Sequence, residues 1–181
     1  KHFQAIVRMD TADPPGVEKP LSDYLVSVLQ AEGIEVEVFS LDPNCPNVVA
    51  RLRGNGSKRP LLMMAHQDTV NTDPSKWVFP PYSAERDGGW IYGRGTVDDK
   101  DNVVASLMTM LMLKRQGVEL DRDVIFLAES GEEGATQIGI QFITEQHFDA
   151  IDAEHCIAEG GSVVRQGGQV HYAGVQTVEK L

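Results

Sequence analysis

The stretch Leu61-Leu62-Met63-Met64-Ala65-His66-Gln67-Asp68-Thr69-Val70 decides the fold. Five apolar residues in a row read as a central strand covered on both faces, and a histidine and an aspartate stand at its end. Two further apolar runs end in the same way. Ile91-Tyr92 passes into Gly93-Arg94-Gly95-Thr96-Val97-Asp98-Asp99-Lys100, and Val124-Ile125-Phe126-Leu127-Ala128 into Glu129-Ser130-Gly131-Glu132-Glu133-Gly134. Strands of an open α/β sheet put their carboxyl ends at one rim, where ligand sites form.

Outward from these runs, apolar spacing places helices over Leu21–Leu29, Asn102–Gln116 and Thr136–His147, with Gly33 ending the first and Gly117 the second. Ile34–Val38 and Val48–Leu52 read as strands. Gly54-Asn55-Gly56-Ser57 reads as a hairpin turn joining Val48–Leu52 to Leu61–Ala65. Asp13-Pro14-Pro15-Gly16 is a turn, and 71–89 is a long loop of the kind that often carries function. His155–Ala158 is a short strand ending at Glu159, and Val170–Val175 is a last strand. Strands alternating with helices define an α/β class with a mostly parallel, mixed sheet flanked by helices.

The 181 residues suffice for one domain with a substantial core. A formal net charge of -11 argues against nucleic acid or an anionic membrane as partner. No apolar run reaches the length of a membrane span and no signal segment opens the chain, so residence in the cytoplasm is the default expectation. Cys45 and Cys156 form neither a disulfide framework nor a C-x-x-C pair and are expected to be buried free thiols.

Gathering the clusters at one rim concentrates negative charge, which is unfavourable unless cations offset it; divalent metal is the simplest answer. His66 and Asp68, two apart, share a face: the imidazole can ligate a metal with the carboxylate behind it, or the pair can simply cap the strand and the next turn. Asp98 or Asp99 can hold metal or cap the following helix, and the helix dipole favours either arrangement. Glu132 and Glu133 point in different directions from a glycine-flanked turn, so one can bind metal while the other serves as a general base. An exposed acidic turn is the plainer reading of the same pair. Glu159 supplies a further carboxylate. All-oxygen ligation would suit calcium, but His66 favours zinc.

Taken together and in order, His66-Gln-Asp68-Thr-Val, Gly93-Arg-Gly-Thr-Val-Asp98-Asp99-Lys100, Glu129-Ser-Gly-Glu132-Glu133-Gly and Ala158-Glu159-Gly resemble the M20 metallopeptidases over almost the whole chain. Trp77-x-Phe79-Pro-Pro-Tyr82 is most like the carboxypeptidase S-type branch. The resemblance implies a zinc-exopeptidase-like catalytic domain that hydrolyses an amide bond with metal-activated water. It implies two zinc ions, with cobalt or manganese as substitutes. His66, Asp98, Glu133 and Glu159 are then metal ligands, with Asp98 bridging. Asp68 orients His66, and Glu132 is the general base. It further implies a cis peptide at Asp98–Asp99.

The substrate implied is a small peptide cleaved by carboxypeptidase-type action, or alternatively an N-acyl amino acid. Family members are about twice this long and carry a lid domain that dimerises and a last histidine ligand. Residues 1–181 are therefore expected to be an incomplete catalytic domain without that lid. A metal-binding fragment with weak or no catalysis is the other expectation.

Overall fold

The computed structural model describes residues 1–160 and 163–174. Its centre is a five-stranded sheet. In chain order the strands are β1 (Ala12–Asp13), β2 (Glu35–Phe39), β3 (Asn47–Leu52), β4 (Leu61–His66), β5 (Thr69–Val70), β6 (Glu85–Asp87), β7 (Trp90–Tyr92), β8 (Val124–Glu129), β9 (His155–Ile157), β10 (Val163–Gln166) and β11 (Gln169–Ala173). The helices are α1 (His2–Val7), α2 (Lys19–Ala31), α3 (Lys100–Gln116) and α4 (Ile140–Gln146). The main sheet has the order β2-β3-β8-β4-β9. Only β3 opposes the others: β2 and β8 pair with it antiparallel, and β4 pairs parallel with both β8 and β9.

Alternation along the strands builds two cores. Val48, Ala50, Met63, Ala65, Phe126 and Ala128 face α1, α2 and α3, where Ile6, Leu21, Leu25, Leu29, Val103, Leu107 and Met110 close over them. Val49, Leu62, Ile125 and Leu127 face the other way, toward Phe142 and Ile143 of α4. With both faces covered, every residue of β8 is buried, which is why its sequence shows no alternation. The α3 connection leads from β4 to β8 on one face; the α4 connection leads from β8 past β4 to β9 on the other. The carboxyl ends of β4 and β8 thus flank a point where the connections diverge, the place where such sheets bind ligands.

Several sequence expectations are corrected. The Gly54–Ser57 turn does not close a hairpin, because β8 lies between β3 and β4; the antiparallel hairpin is β2–β3. Ile91-Tyr92 belongs to β7, which pairs with β6 in a separate two-stranded unit rather than with the main sheet. The helix expected over Thr136–His147 is confined to Ile140–Gln146. Gly139 has non-helical torsions, and a Cβ there would lie 1.9 Å from the Ser130 carbonyl oxygen, so the preceding segment is wrapped tightly against the end of β8. Cys45 is buried as expected, but Cys156 is exposed on β9, at the edge of the sheet. The last strand, β11, ends at Ala173, and Val175 lies outside the described residues.

The helix stop at Gly117 follows the expected rule. Its φ of 59° is left-handed, and Val118 N donates back to Leu113 O at 3.2 Å. No helix among the described residues is long and apolar enough to cross a membrane. Phe126, fully buried at the centre of the sheet, is the sharpest test of this packing. Phe126→Ala is expected to lower stability by about 3–5 kcal/mol, read from urea unfolding with an unchanged dependence on denaturant.

Candidate metal centre

His66 closes β4, and its side chain is 1 % exposed. Its Nδ1 faces Asp68, 3.1 Å from the carbonyl oxygen and 3.3 Å from Oδ1. A proton on Nδ1 therefore turns Nε2 toward the rim. There Nε2 lies 3.0 Å from Asp98 Oδ1, 3.4 Å from Glu159 Oε2 and 3.9 Å from Glu132 Oε2. Oxygens of Asp98 and Glu133 lie within 4.8 Å of each other and of a His66 nitrogen; so do oxygens of Asp99 and Glu159. The six residues singled out from sequence (His66, Asp68, Asp98, Glu132, Glu133 and Glu159) are thus brought together around one imidazole.

Each segment arrives by a different route. Asp68 is fully buried and accepts Glu132 N at 3.1 Å and Glu133 N at 2.8 Å, fixing the turn that carries both glutamates. Asp98 stands before α3, and the Asp98–Asp99 peptide is cis. Asp99 occupies the N-cap position of α3 but makes no side-chain cap bond. It turns instead to the sheet, where its carboxylate accepts His66 N at 3.0 Å and the Asn102 side-chain amide. Glu159 follows β9, beside β4.

The electrostatics divide the acids into two kinds. Burial alone would raise Asp68, but His66 and the amides of Glu133 and Glu132 outweigh it and hold this carboxyl below its usual value. Glu132, Glu133 and Glu159 are all raised, first by burial and then by one another and the nearby aspartates, with His66 opposing. Burial pulls His66 down, yet hydrogen bonding and attraction from Asp68, backed by Asp99 and Asp98, carry it up to about 10. A donor set of one imidazole and several carboxylates, crowded enough to raise its own acids, fits a divalent ion that accepts nitrogen and oxygen.

Sequence reasoning missed several supporting residues. Gln67 lies fully buried between His66 and Asp68, and its amide donates to Pro46 O and Ala128 O while its oxygen accepts from Ser22 Oγ. Lys100 is fully buried, donates to Met9 O at 2.7 Å, and is pushed down to about 8 by burial. Glu18 and Glu129 are buried carboxyls close to the rim. Gln67, Lys100 and Glu129 stood inside the motifs already quoted, next to residues singled out; Glu18 alone of these looks like an ordinary surface charge in a linear reading.

Residues 62–173 match the family described as Peptidase family M20/M25/M40, and the chain belongs to it. It is 32 % identical over 176 residues to an N-formyl-4-amino-5-aminomethyl-2-methylpyrimidine deformylase from Halalkalibacterium halodurans, covering 92 % of this chain and 40 % of that protein. A probable succinyl-diaminopimelate desuccinylase from Staphylococcus epidermidis is 29 % identical over 145 residues, covering 79 % and 34 %. The crystal structure of an M20 family metallo-carboxypeptidase from Sulfolobus solfataricus superposes with a TM-score of 0.75 at 25 % identity, covering 89 % of this chain and 37 % of that one. The chain therefore spans at most 40 % of the length of these relatives.

Glu129 gives a prediction independent of any ligand. Burial, and then repulsion from Glu132, Asp68 and Glu159, pushes its carboxyl from 4.5 up to about 7, with His66 opposing. Between those values the folded protein holds a proton that the unfolded chain has released, so this group makes stability fall as pH rises through the window. Glu129→Gln is expected to flatten that decline in the metal-free protein. Urea midpoints measured across the window check it, and an unchanged slope would count against the assignment.

Proposed function

We propose that this chain is the catalytic portion of a zinc-dependent amide hydrolase, acting on small peptides as a carboxypeptidase-type exopeptidase. The observation that carries the reading is the convergence of Asp98, Glu132, Glu133 and Glu159 on the exposed side of His66, from three separate segments. His66, Asp98, Glu133 and Glu159 would hold the metal. The donor chemistry supports zinc over calcium because a single imidazole anchors the set. Two ions would divide the carboxylates between them, with cobalt or manganese able to substitute. When bound, the metal would polarise the scissile carbonyl and lower the pKa of water.

Glu132 is the general base in this proposal. Its carboxyl is only partly exposed, at 39 %, and its raised pKa favours holding a proton taken from water until the amine leaves. Asp68 is the positioning group. One carboxylate fixes the His66 ring from behind and the backbone of Glu132 and Glu133 from below, so ligand and base share one reference point. Contacts to the rest of the substrate, and dimerisation, are assigned to a lid domain outside the 181 residues.

A second reading is hydrolysis of an N-acyl amino acid or related amide. It is favoured by the relatives named as a deformylase and a desuccinylase, the first of them similar over 92 % of this chain. A panel of dipeptides and N-acyl amino acids offered to the zinc-loaded intact protein separates the two.

Two outcomes test the site. Glu132→Ala is expected to lower turnover by about 10²–10⁴-fold with metal content unchanged, as measured by activity and elemental analysis. A near-normal rate would remove Glu132 as the base. His66, protonated up to about 10, has to give up its Nε2 proton to ligate, so zinc uptake near neutral pH should release protons. Calorimetry in buffers of different ionisation enthalpy reads that release, and His66→Ala should abolish it.

A further inference from the structure

We propose that Glu18 is a positioning residue of this site, holding the turn that presents Glu132 and Glu133 by accepting the Gly131 amide. The role rests on the hydrolytic reading above, but the contact itself does not. Glu18 is fully buried at the N-cap position of α2, where an acidic side chain ordinarily accepts an amide of its own helix. Here it makes no such bond. Its Oε1 instead accepts Gly131 N at 3.2 Å, across 113 positions of sequence.

The placement of Glu18 is rigid. Leu21 N and Ser22 N donate to its own carbonyl, Lys19 N donates to Asn44 O, and Ser22 Oγ is bound to Pro46 O and to Gln67. The acceptor is therefore fixed to the same framework as the His66–Asp68 segment. The target is equally constrained. Gly131 has a φ of 73°, and a Cβ there would lie 2.7 Å from Ala135 O, so the turn tolerates no side chain at this point.

Three consecutive amides are thus claimed by two buried carboxyls: Gly131 by Glu18, and Glu132 and Glu133 by Asp68. Asp68 alone would leave the turn free to pivot about its own oxygens; the Glu18 contact one residue earlier removes that rotation. The other oxygen of Glu18 has no hydrogen bond of good geometry among the described residues; the Cys45 thiol, which donates to Gly16 O, is close enough to the carboxyl to act on it. Burial first, opposed by the Cys45 thiol and the Gly131 amide and aided by Asp68, pushes the Glu18 carboxyl up, and the side-chain oxygen of a glutamine of the same length can accept the same amide.

The test compares Glu18→Gln, Glu18→Asp and Glu18→Ala with the wild-type chain. Hydrogen exchange at the Gly131, Glu132 and Glu133 amides, measured by NMR on metal-free protein, reads the contact directly. Zinc affinity and the split between kcat and KM read its consequence. The aspartate variant keeps the acid but withdraws its oxygen; it and the alanine variant should speed exchange about tenfold or more. Both should also weaken zinc binding and lower kcat more than they raise KM. The glutamine variant should restore all three readings.

Wild-type exchange and zinc affinity in Glu18→Asp would overturn the proposal, as would a glutamine variant as impaired as the alanine one. Should the alanine variant not fold, the aspartate and glutamine pair still decides. A wild-type chain that binds no zinc and hydrolyses nothing would sink the functional reading, while the exchange comparison would still decide whether Glu18 holds the turn.

Discussion

One buried carboxylate, Asp68, ties the rim of this fold together. Burying a charge is strongly unfavourable unless it is paired and hydrogen-bonded. Asp68 meets both conditions, with the His66 imidazole on one side and the amides of Glu132 and Glu133 on the other. Its carboxyl is accordingly held below the usual value in spite of complete burial. The coupling runs both ways. Removing Asp68 would orphan two backbone donors and release the ring whose orientation aims Nε2 at the other acids. The ends of β4 and β8 are neighbours by sheet register, with His66 opposite Glu129, but register alone does not fix side chains. Asp68 converts adjacent strand ends into a defined constellation.

The acids around it show the opposite behaviour, and the contrast is informative. Glu129, Glu132, Glu133 and Glu159 are all raised, and burial is the first cause in each case. What separates them from Asp68 is that, among the described residues, no backbone amide donates to their carboxylates. Nearby cations are spoken for: Lys100 is turned to the Met9 carbonyl, and His66 alone faces four carboxylates. A protein surface that avoided ligands would spread such charges or pair them with arginine, as this chain does elsewhere with Arg51 and Arg53 around Asp123. At the rim no arginine does so among the described ion pairs, and a divalent ion is the partner that fits.

Much of this was legible in the sequence, and the boundary of legibility has a physical origin. Leu61–Ala65 and Val124–Ala128 read as buried strands because burial on both faces leaves no room for polar residues, a purely local signature. The six acidic and imidazole residues stood out because each sits at a break in an apolar run. Strand order was another matter. The turn at Gly54–Ser57 looked like a hairpin, yet the β8 strand, made some seventy residues later, inserts between its arms. Ile91-Tyr92 looked like a third rim strand, but it pairs with β6 outside the main sheet, and Asp98 reaches the rim through the start of α3 instead. Glu18 was unreadable for a related reason, and the burial of Lys100 and Glu129 was too, although both stood inside the quoted motifs: a charge is buried by partners distant in sequence, and its neighbours do not announce them.

Three imperfect contacts bear on the same turn. A buried polar atom without a partner costs about 1–3 kcal/mol, so a fold keeps few of them without reason. Here Asp13 Oδ2, Glu18 Oε2 and Glu129 Oε2 lack partners among the described residues, and all three border the segment from Gly131 to Gly139. The two cores, by contrast, are apolar and closed. These three lie behind the turn that carries Glu132 and Glu133, where shifting a backbone by a fraction of an ångström would move both carboxylates; the other such atoms are on Thr69, Tyr82, Ser83, Arg94 and Asp101. Replacing these acids by apolar residues would relieve desolvation, but it would also remove the acceptor that fixes the turn. Keeping buried carboxyls behind this turn is what a fold does when geometry at a site matters more than the stability lost there.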